Sequence, residues 1–300
     1  MLKDFNALRD ILGNNAKKTI AVAAAQDEHT LEAVFDAAKE FGVDYILTGN
    51  KNEILAVCAK LEQTIDESKI IDTEGDEEAA KAAVSLIRDK KSDILMKGKL
   101  QTATLLKAVL NKEWGIRAGS VMSHMAVLEC PKHDRLLFMS DGGMIPYPDL
   151  EQKRGILENG VSFMRSLGYE KPNVAALAAV ETVSDKMPET VDAAELTKLN
   201  ATGEISGCIV EGPLSFDLAI SSEAAEIKGI KGQVSGKTDM LLMPNISTGN
   251  IMSKALLYLG GAKMAGCVLG AKVPIVLVSR GATAEEKRLS ILLCLCADNK

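Results

Sequence analysis

Along the chain, short apolar runs rich in β-formers alternate with longer stretches whose apolar residues recur every three or four positions. That alternation is the mark of βα units laid on a largely parallel sheet. It predicts strands at residues 19–24, 44–48, 93–96, 136–139, 173–178, 207–210, 239–243 and 274–279. Between them, HTLEAVFDAAKEFG and DEEAAKAAVSLIRDK place apolar residues at helical spacing, and Gly42 supplies a stop for the first. The stretch SDGGMIPYPDLEQK, with its paired glycines and prolines, is the best break in the pattern, and a domain junction is expected at 138/139. At 300 residues the chain is long enough for two such domains, at about 150 residues each. No repeat of solenoid period and no low-complexity segment interrupts it.

Composition narrows the function classes. Hydrophobic residues at 47% and charged residues at 25% are globular averages, which argues against wholesale disorder. Lys and Arg total 35 against 41 Asp and Glu, a net charge of −6, so no general nucleic-acid binder is expected, although a local basic pocket stays open. Aromatics at 4% leave few rings for stacking bases. The opening MLKDFNALRDILGNNAKK mixes charges into its apolar residues, unlike a signal peptide, and no apolar run approaches the ~20 residues that span a bilayer. A cytoplasmic protein without membrane contact is therefore expected, its thiols Cys58, Cys130, Cys208, Cys267, Cys294 and Cys296 reduced and filling the core. Cys294 and Cys296 stand two apart on a predicted helix and so face different ways. The histidines His29, His124 and His133 lack metal-ligand spacing, so no metal is expected.

Open parallel sheets bind ligands outside the carboxyl ends of their strands, so the residues after each strand are the ones to inspect. In TDMLLMPNISTGNIMSKALLYLGGA, an apolar strand stops at Pro244 and a loop over residues 245–250 is expected before a helix from about Ile251. Asn245, Thr248, Gly249 and Asn250 there offer an anion-receptive helix start, or simply a cap and a turn glycine. In KVPIVLVSRGATAEEKRLSILLCLCA, an apolar strand ends at Ser279, Arg280 and Gly281 before a helix. Arg280 is costly to desolvate there without an anion or a carboxylate to pair with, and its planar fork suits phosphate. Thr283 and Glu286 fit an S/T-x-x-E capping box, which competes with any catalytic role for Glu286. In SDILMKGKLQTATLLKAVLNK, Lys97, Lys99 and Lys107 gather positive charge by a helix start, as a binding site or as a solvated face. Glu211, Gly212 and Pro213 are expected after a strand, with Asp217 either a helix cap or a site carboxylate. The tail Gly236-Lys237-Thr238 looks like a Walker loop but lacks its glycine five residues earlier and is followed by a strand rather than a helix. No G-x-G-x-x-G follows an early strand.

Taken in order, MKGKLQTATLLK, EGPLSFDLAIS, LLMPNISTGN and VSRGATAEEK resemble the phosphate acyltransferase family of phosphotransacetylases and phosphate butyryltransferases. The resemblance covers nearly the whole chain, and KGKLQT, the VAALAAVE run and the length favour the butyryl branch. It implies an α/β fold of two domains with largely parallel sheets flanked by helices, an active-site cleft between them, and kinship with isocitrate and isopropylmalate dehydrogenases. The final helix would return to the first domain, giving 1–138 plus 284–300 and 139–283. The implied reaction is reversible acyl transfer between coenzyme A and inorganic phosphate, butyryl favoured, with coenzyme A as substrate and no metal or prosthetic group. A homodimer or higher homo-oligomer is implied too.

Residue by residue, Ser279 matches the family serine near the coenzyme thiol and the reacting carbonyl, and Arg280 the arginine that holds phosphate. Glu286 stands where the acetyl branch has an aspartate as thiol base, and Lys107 near an arginine associated with the coenzyme's phosphates. An ordinary Glu near 4.3 is mismatched with a thiol near 8.5 by roughly 4 units, or about 5.7 kcal/mol, so the site would have to retune it. Asn245, Thr248, Gly249, Asn250, Lys99 and Lys107 are the candidate substrate-binding residues. Rival readings are a phosphate acetyltransferase, a metal- and NAD-dependent hydroxy-acid dehydrogenase of similar fold, and a non-catalytic coenzyme or nucleotide binder.

Overall fold

The structure is a computed structural model that describes residues 1–12, 18–119, 121–279 and 281–297; Arg280 lies outside the described residues. In chain order the elements begin α1 (Phe5–Leu12), β1 (Thr19–Ala23), α2 (Glu28–Phe41), β2 (Asp44–Gly49), α3 (Lys51–Lys60), β3 (Ile70–Asp72), α4 (Gly75–Arg88), β4 (Ile94–Lys97) and α5 (Thr102–Val109). Next come β5 (Ser123–Glu129), β6 (Leu137–Ser140), α6 (Leu150–Ser166), β7 (Asn173–Leu177), α7 (Pro188–Ala201) and β8 (Ile209–Leu214). The chain continues through α8 (Phe216–Ile220), α9 (Ser222–Ile227), β9 (Met240–Leu242), α10 (Ile246–Tyr258), β10 (Lys263–Leu269), β11 (Ile275–Val276) and α11 (Ala284–Cys296).

The chain divides into two compact units, a first of Asn6–Gly119 with Ala265–Lys300 and a second of Met1–Phe5 with Ser120–Met264. These limits differ from the expected 1–138 plus 284–300 and 139–283, in which turn composition set the first break and the family resemblance implied the return of the final helix. The turn-rich stretch is a knot inside the second unit rather than a junction. There the buried Asp141 carboxylate accepts the backbone N–H groups of Gly143 (2.7 Å), Met144 (3.0 Å) and Ile145 (3.0 Å). Asp149 then caps α6 in a reciprocal capping box with Gln152.

In the first unit the strand order is β3-β2-β1-β4-β11-β10, parallel except where β10 meets β11. The register sets Ala23 beside Lys97, and Met96 beside Val276, so three neighbouring strands end together. The second unit orders its strands β5-β6-β9-β7-β8, antiparallel only between β5 and β6. Glu211, Gly212 and Pro213 lie within β8, not after it.

Each unit has its own apolar interior. Leu8, Ile20, Leu31, Leu47, Ile94, Leu95 and Met96 are wholly buried in the first, and Met139, Leu177, Leu218, Val234 and Leu241 lie at the centre of the second. Burying each such side chain contributes about 2 kcal/mol. Helix α11 is buried from Leu289 through Cys296, so it carries no polar stripe. Its cysteines diverge as expected: Cys296 donates to the Leu8 carbonyl at 3.0 Å, while Cys294 lies against Cys267. All the cysteines are free, and only Cys130 is less than buried. Among the described residues no helix is long and apolar enough to cross a membrane.

Candidate active site

The ends of β1, β4 and β11 frame a cavity of about 300 Å³ in the first unit, lined by Asp27, Lys97, Lys99, Gln101, Ser279 and Lys287 among others. Its position follows from the strand order, since side-by-side parallel strands open their carboxyl ends on one rim. After β1 the chain runs through Ala24 and Ala25, both fully buried. After β4, the Gly98 and Lys99 N–H groups donate to the carbonyls of Ala23 (2.9 Å) and Ala24 (2.7 Å). A Cβ on Gly98 would stand 2.2 Å from the Ala24 oxygen, so only glycine permits this approach. Lys97, the last residue of β4, is only 7% exposed, and its Nζ donates to the carbonyls of Gly98 (3.1 Å) and Leu100 (3.2 Å). Lys99, two residues on, is exposed.

Opposite charges meet where α2 and α11 begin. Asp27 caps α2, accepting from the Thr30 N–H at 2.9 Å, and its Oδ2 also accepts from Lys287 Nζ at 2.7 Å. Lys287 is 6% exposed and donates to the Thr30 hydroxyl at 3.0 Å as well. Burial pushes the Asp27 carboxyl up, but the bonds from Lys287 and Thr30 outweigh it and hold the group below the ordinary 3.8. Sequence reading passed over this pair. In ATAEEKR, Lys287 reads as one more solvated charge, and only its one-turn offset from the Thr283 cap, beside a wholly apolar helix face, hints otherwise.

The candidates named from sequence fall in several places. Ser279 is exposed at the cavity rim, and its carbonyl accepts from the Ala282 N–H at 3.1 Å. Glu286 forms the capping box of α11: its Oε2 accepts from the Thr283 N–H (2.8 Å) and hydroxyl (3.1 Å). Lys107 does not share the Ser279 cavity. It is 75% exposed, pairs with Glu77 at 2.9 Å, and lines a separate hollow of about 210 Å³ beside Trp114 and Lys81.

In the second unit, α10 begins earlier than expected. Asn245 is its N-cap, accepting from the Thr248 N–H (3.0 Å) and hydroxyl (3.1 Å), so Thr248, Gly249 and Asn250 belong to the first helical turn rather than to a loop. The helix seats against the Asp141 turn. A Cβ on Gly249 would stand 2.8 Å from the Asp141 oxygen and from Gly142 Cα, and Asn250 Nδ2 donates to the Gly142 carbonyl at 3.4 Å. Thr248 and Asn250 are exposed. Elsewhere in this unit Lys228 bridges Asp217 (3.1 Å) and Glu181 (3.2 Å), and bonding from Ser215 and then Lys228 holds the Asp217 carboxyl down at about 2. Gly236, Lys237 and Thr238 lie between α9 and β9, before a strand, where a phosphate-binding loop has no place. Among the described residues no group of three or more His, Cys, Asp or Glu side chains is arranged to hold a metal ion.

The model of a protein family described as phosphate acetyl/butaryl transferase matches residues 77–294. The chain belongs to that family. It is 45% identical over 301 residues to the phosphate butyryltransferase of Clostridium acetobutylicum, covering 100% of both chains. It is 43% identical over 276 residues to the phosphate acetyltransferase of Thermotoga maritima, covering 92% of this chain and 94% of that one. Among solved structures, a branched-chain phosphotransacylase from Enterococcus faecalis superposes with a TM-score of 0.83 at 32% identity, covering 93% of this chain and 98% of that chain. The span matching the phosphate acetyl/butaryl transferase family includes Lys97, Ser279, Glu286 and Lys287 and begins after Asp27. The buried ion pair thus joins a residue inside the family span to one before it.

Proposed function

We propose that this chain catalyses reversible transfer of a short-chain acyl group, butyryl foremost, between coenzyme A and inorganic phosphate. The observation that carries the reading is the cavity at the carboxyl ends of β1, β4 and β11, where lysines gather beside Ser279 in a chain of net charge −6. Full-length similarity to a phosphate butyryltransferase supports the same reading. A phosphate oxygen attacks the thioester carbonyl, the carbonyl electrons move onto oxygen, and the collapse of that oxyanion expels the coenzyme sulfur, which takes up the proton phosphate has lost. Ser279 hydrogen-bonds the sulfur or the carbonyl oxygen, Arg280 and Lys99 hold phosphate, and Glu286 carries the proton. Lys107 meets the outer anionic part of the coenzyme from its exposed position. Asn245 fixes the start of α10 and Gly249 seats it on the Asp141 turn, so that the exposed Thr248 and Asn250 side chains meet the anion.

The proposal extends to the finer fold reading, kinship with isocitrate and isopropylmalate dehydrogenases. It further includes a cytoplasmic enzyme, free of nucleic acid and membrane, that needs no metal or prosthetic group. Self-association into a homodimer or higher oligomer belongs to it too, and is supported by α10, which leaves Ile251, Tyr258 and the following Leu259 exposed, the last at 89%. The deciding experiment is release of free thiol from butyryl-CoA. Thiol appearing only when phosphate is added supports acyl transfer, whereas tight coenzyme binding without turnover would make the protein a binder. Rates with acetyl-, propionyl-, butyryl- and isobutyryl-CoA then rank the acyl groups, and a preference for acetyl would move the chain to the acetyl branch.

A further inference from the structure

We infer that Asp27 is a specificity-determining residue of this transfer: its Oδ1 accepts a hydrogen bond from the proton that phosphate carries, and so turns away sulfate, which carries none. The inference rests on the acyl-transfer reading above and deepens it by naming what selects the anion. Asp27 lines the cavity together with Lys99, Ser279 and Lys287, and its side chain is 30% exposed. Among the described residues, every bond to the carboxylate falls on one oxygen. Oδ2 accepts from the Thr30 N–H at 2.9 Å, from the Thr30 hydroxyl, and from Lys287 Nζ at 2.7 Å. With Oδ2 held between α2 and α11, Oδ1 is the oxygen left to face the cavity.

The ionisation of the group decides what it can meet. Burial pushes the carboxyl up, but the bonds from Lys287 and Thr30 outweigh it, so Asp27 stays ionised at neutral pH. An ionised carboxylate only accepts, and a ligand oxygen beside it must bring a hydrogen. Inorganic phosphate keeps at least one proton at neutral pH, whereas sulfate keeps none and would set a bare anionic oxygen against Oδ1. The lysines in the same wall attract either anion by charge and do not tell them apart. Asp76 also lines the cavity, but it bonds to no other described side chain, so it is not pinned against an anion as Asp27 is.

No proton passes to Asp27 in this contact. The P–O–H group donates to Oδ1 while an unprotonated phosphate oxygen is left to attack the carbonyl carbon, and the proton later reaches sulfur by the route already given. The donors on Oδ2 also fix what asparagine would do at this position. Its amide oxygen must take the Oδ2 place to accept from Thr30 and Lys287, which leaves the NH₂ group at the Oδ1 place. Asp27→Asn thus turns an acceptor facing the anion into a donor, which a sulfate oxygen can accept.

The test is calorimetric binding of inorganic phosphate and of sulfate to the full chain at constant ionic strength, with sulfate inhibition of thiol release from butyryl-CoA measured beside it. A site built to bond a ligand hydrogen rejects an analogue that lacks it, so wild type is expected to bind phosphate about 10²-fold more tightly than sulfate. In Asp27→Asn, checked by its unfolding midpoint, that ratio is expected to fall at least about ten-fold, mainly because sulfate binds more tightly. Loss of one negative charge alone would tighten both anions alike, so the ratio isolates the hydrogen bond. A folded Asp27→Asn with the wild-type ratio overturns the assignment. If the variant does not fold, wild-type binding decides: a preference for phosphate under about ten-fold overturns it, and a larger one supports it. Failure of the parent reading looks different: wild-type protein would release no thiol from any acyl-CoA on adding phosphate, however it ranks the two anions.

Discussion

At the scale of single residues, the Asp27–Lys287 pair shows how far a side chain's role depends on what it meets. Removing one partner of a buried pair strands the other charge, and the cost is larger the deeper the stranded charge lies: the Lys287 side chain is 7% exposed and that of Asp27 30%. Asp27→Asn is therefore expected to lower unfolding free energy by about 3 kcal/mol in urea, and Lys287→Met by clearly less. The pH dependence has a definite sign. The folded Asp27 carboxyl lies below its ordinary 3.8, so its stabilisation is present above that value and fades as pH falls through the lower, folded one. The gap between wild type and Asp27→Asn should hold constant at neutral pH and narrow as pH falls below the ordinary 3.8. Sequence alone did not reveal this pair, because Asp27 and Lys287 are 260 residues apart and no local pattern joins them.

Secondary-structure elements were legible where local chemistry decided them. The Thr283 and Glu286 spacing marked the start of α11, and the box forms as read. It also separates two roles for Glu286, since glutamine preserves a capping box while losing the carboxylate. Glu286→Gln is expected to keep the unfolding midpoint and to lose turnover at least about ten-fold, as a general base would. Retained turnover would leave Glu286 as a cap alone. Glu286→Ala should cost about 1 kcal/mol as well. The start of α10 was misread for a physical reason. Ile246, Thr248 and Gly249 are weak helix formers, so propensity deferred the helix to Ile251, but Gly249 is what lets the first turn lie on the Asp141 turn. Gly249→Ala, though better for an isolated helix, should destabilise the protein by about 1–3 kcal/mol, because the atoms it meets are backbone.

Over the whole molecule, the longer parallel strands were readable as apolar runs between amphipathic helices, while the three-residue β3 escaped, as did β5 and β10. SHMAVLE and KMAGCVL carry Met, His, Gly and Cys where a strand usually shows β-branched residues, and their antiparallel pairing appears only in the fold. The overall charge of −6 leaves the lysine-lined cavity as a local exception, so attraction of phosphate should be screened by salt. KM for phosphate is expected to rise several-fold as ionic strength goes from about 0.05 to 0.5 M, with kcat changed far less. If the proposed self-association runs through the exposed end of α10, Leu259→Lys lowers the mass seen in sedimentation equilibrium without lowering the unfolding midpoint.

The interior cysteines carry one practical consequence. Burial pushes the Cys208 thiol up to about 11 and that of Cys296 up to about 12, and it raises Cys58, Cys130 and Cys294 as well. Thiolate is the form that attacks a disulfide dye, so the native protein should stay nearly silent to such a reagent at neutral pH, and guanidinium should bring its full complement of 6 into view. Any colour that develops during turnover would then come from sulfur that arrived with the substrate.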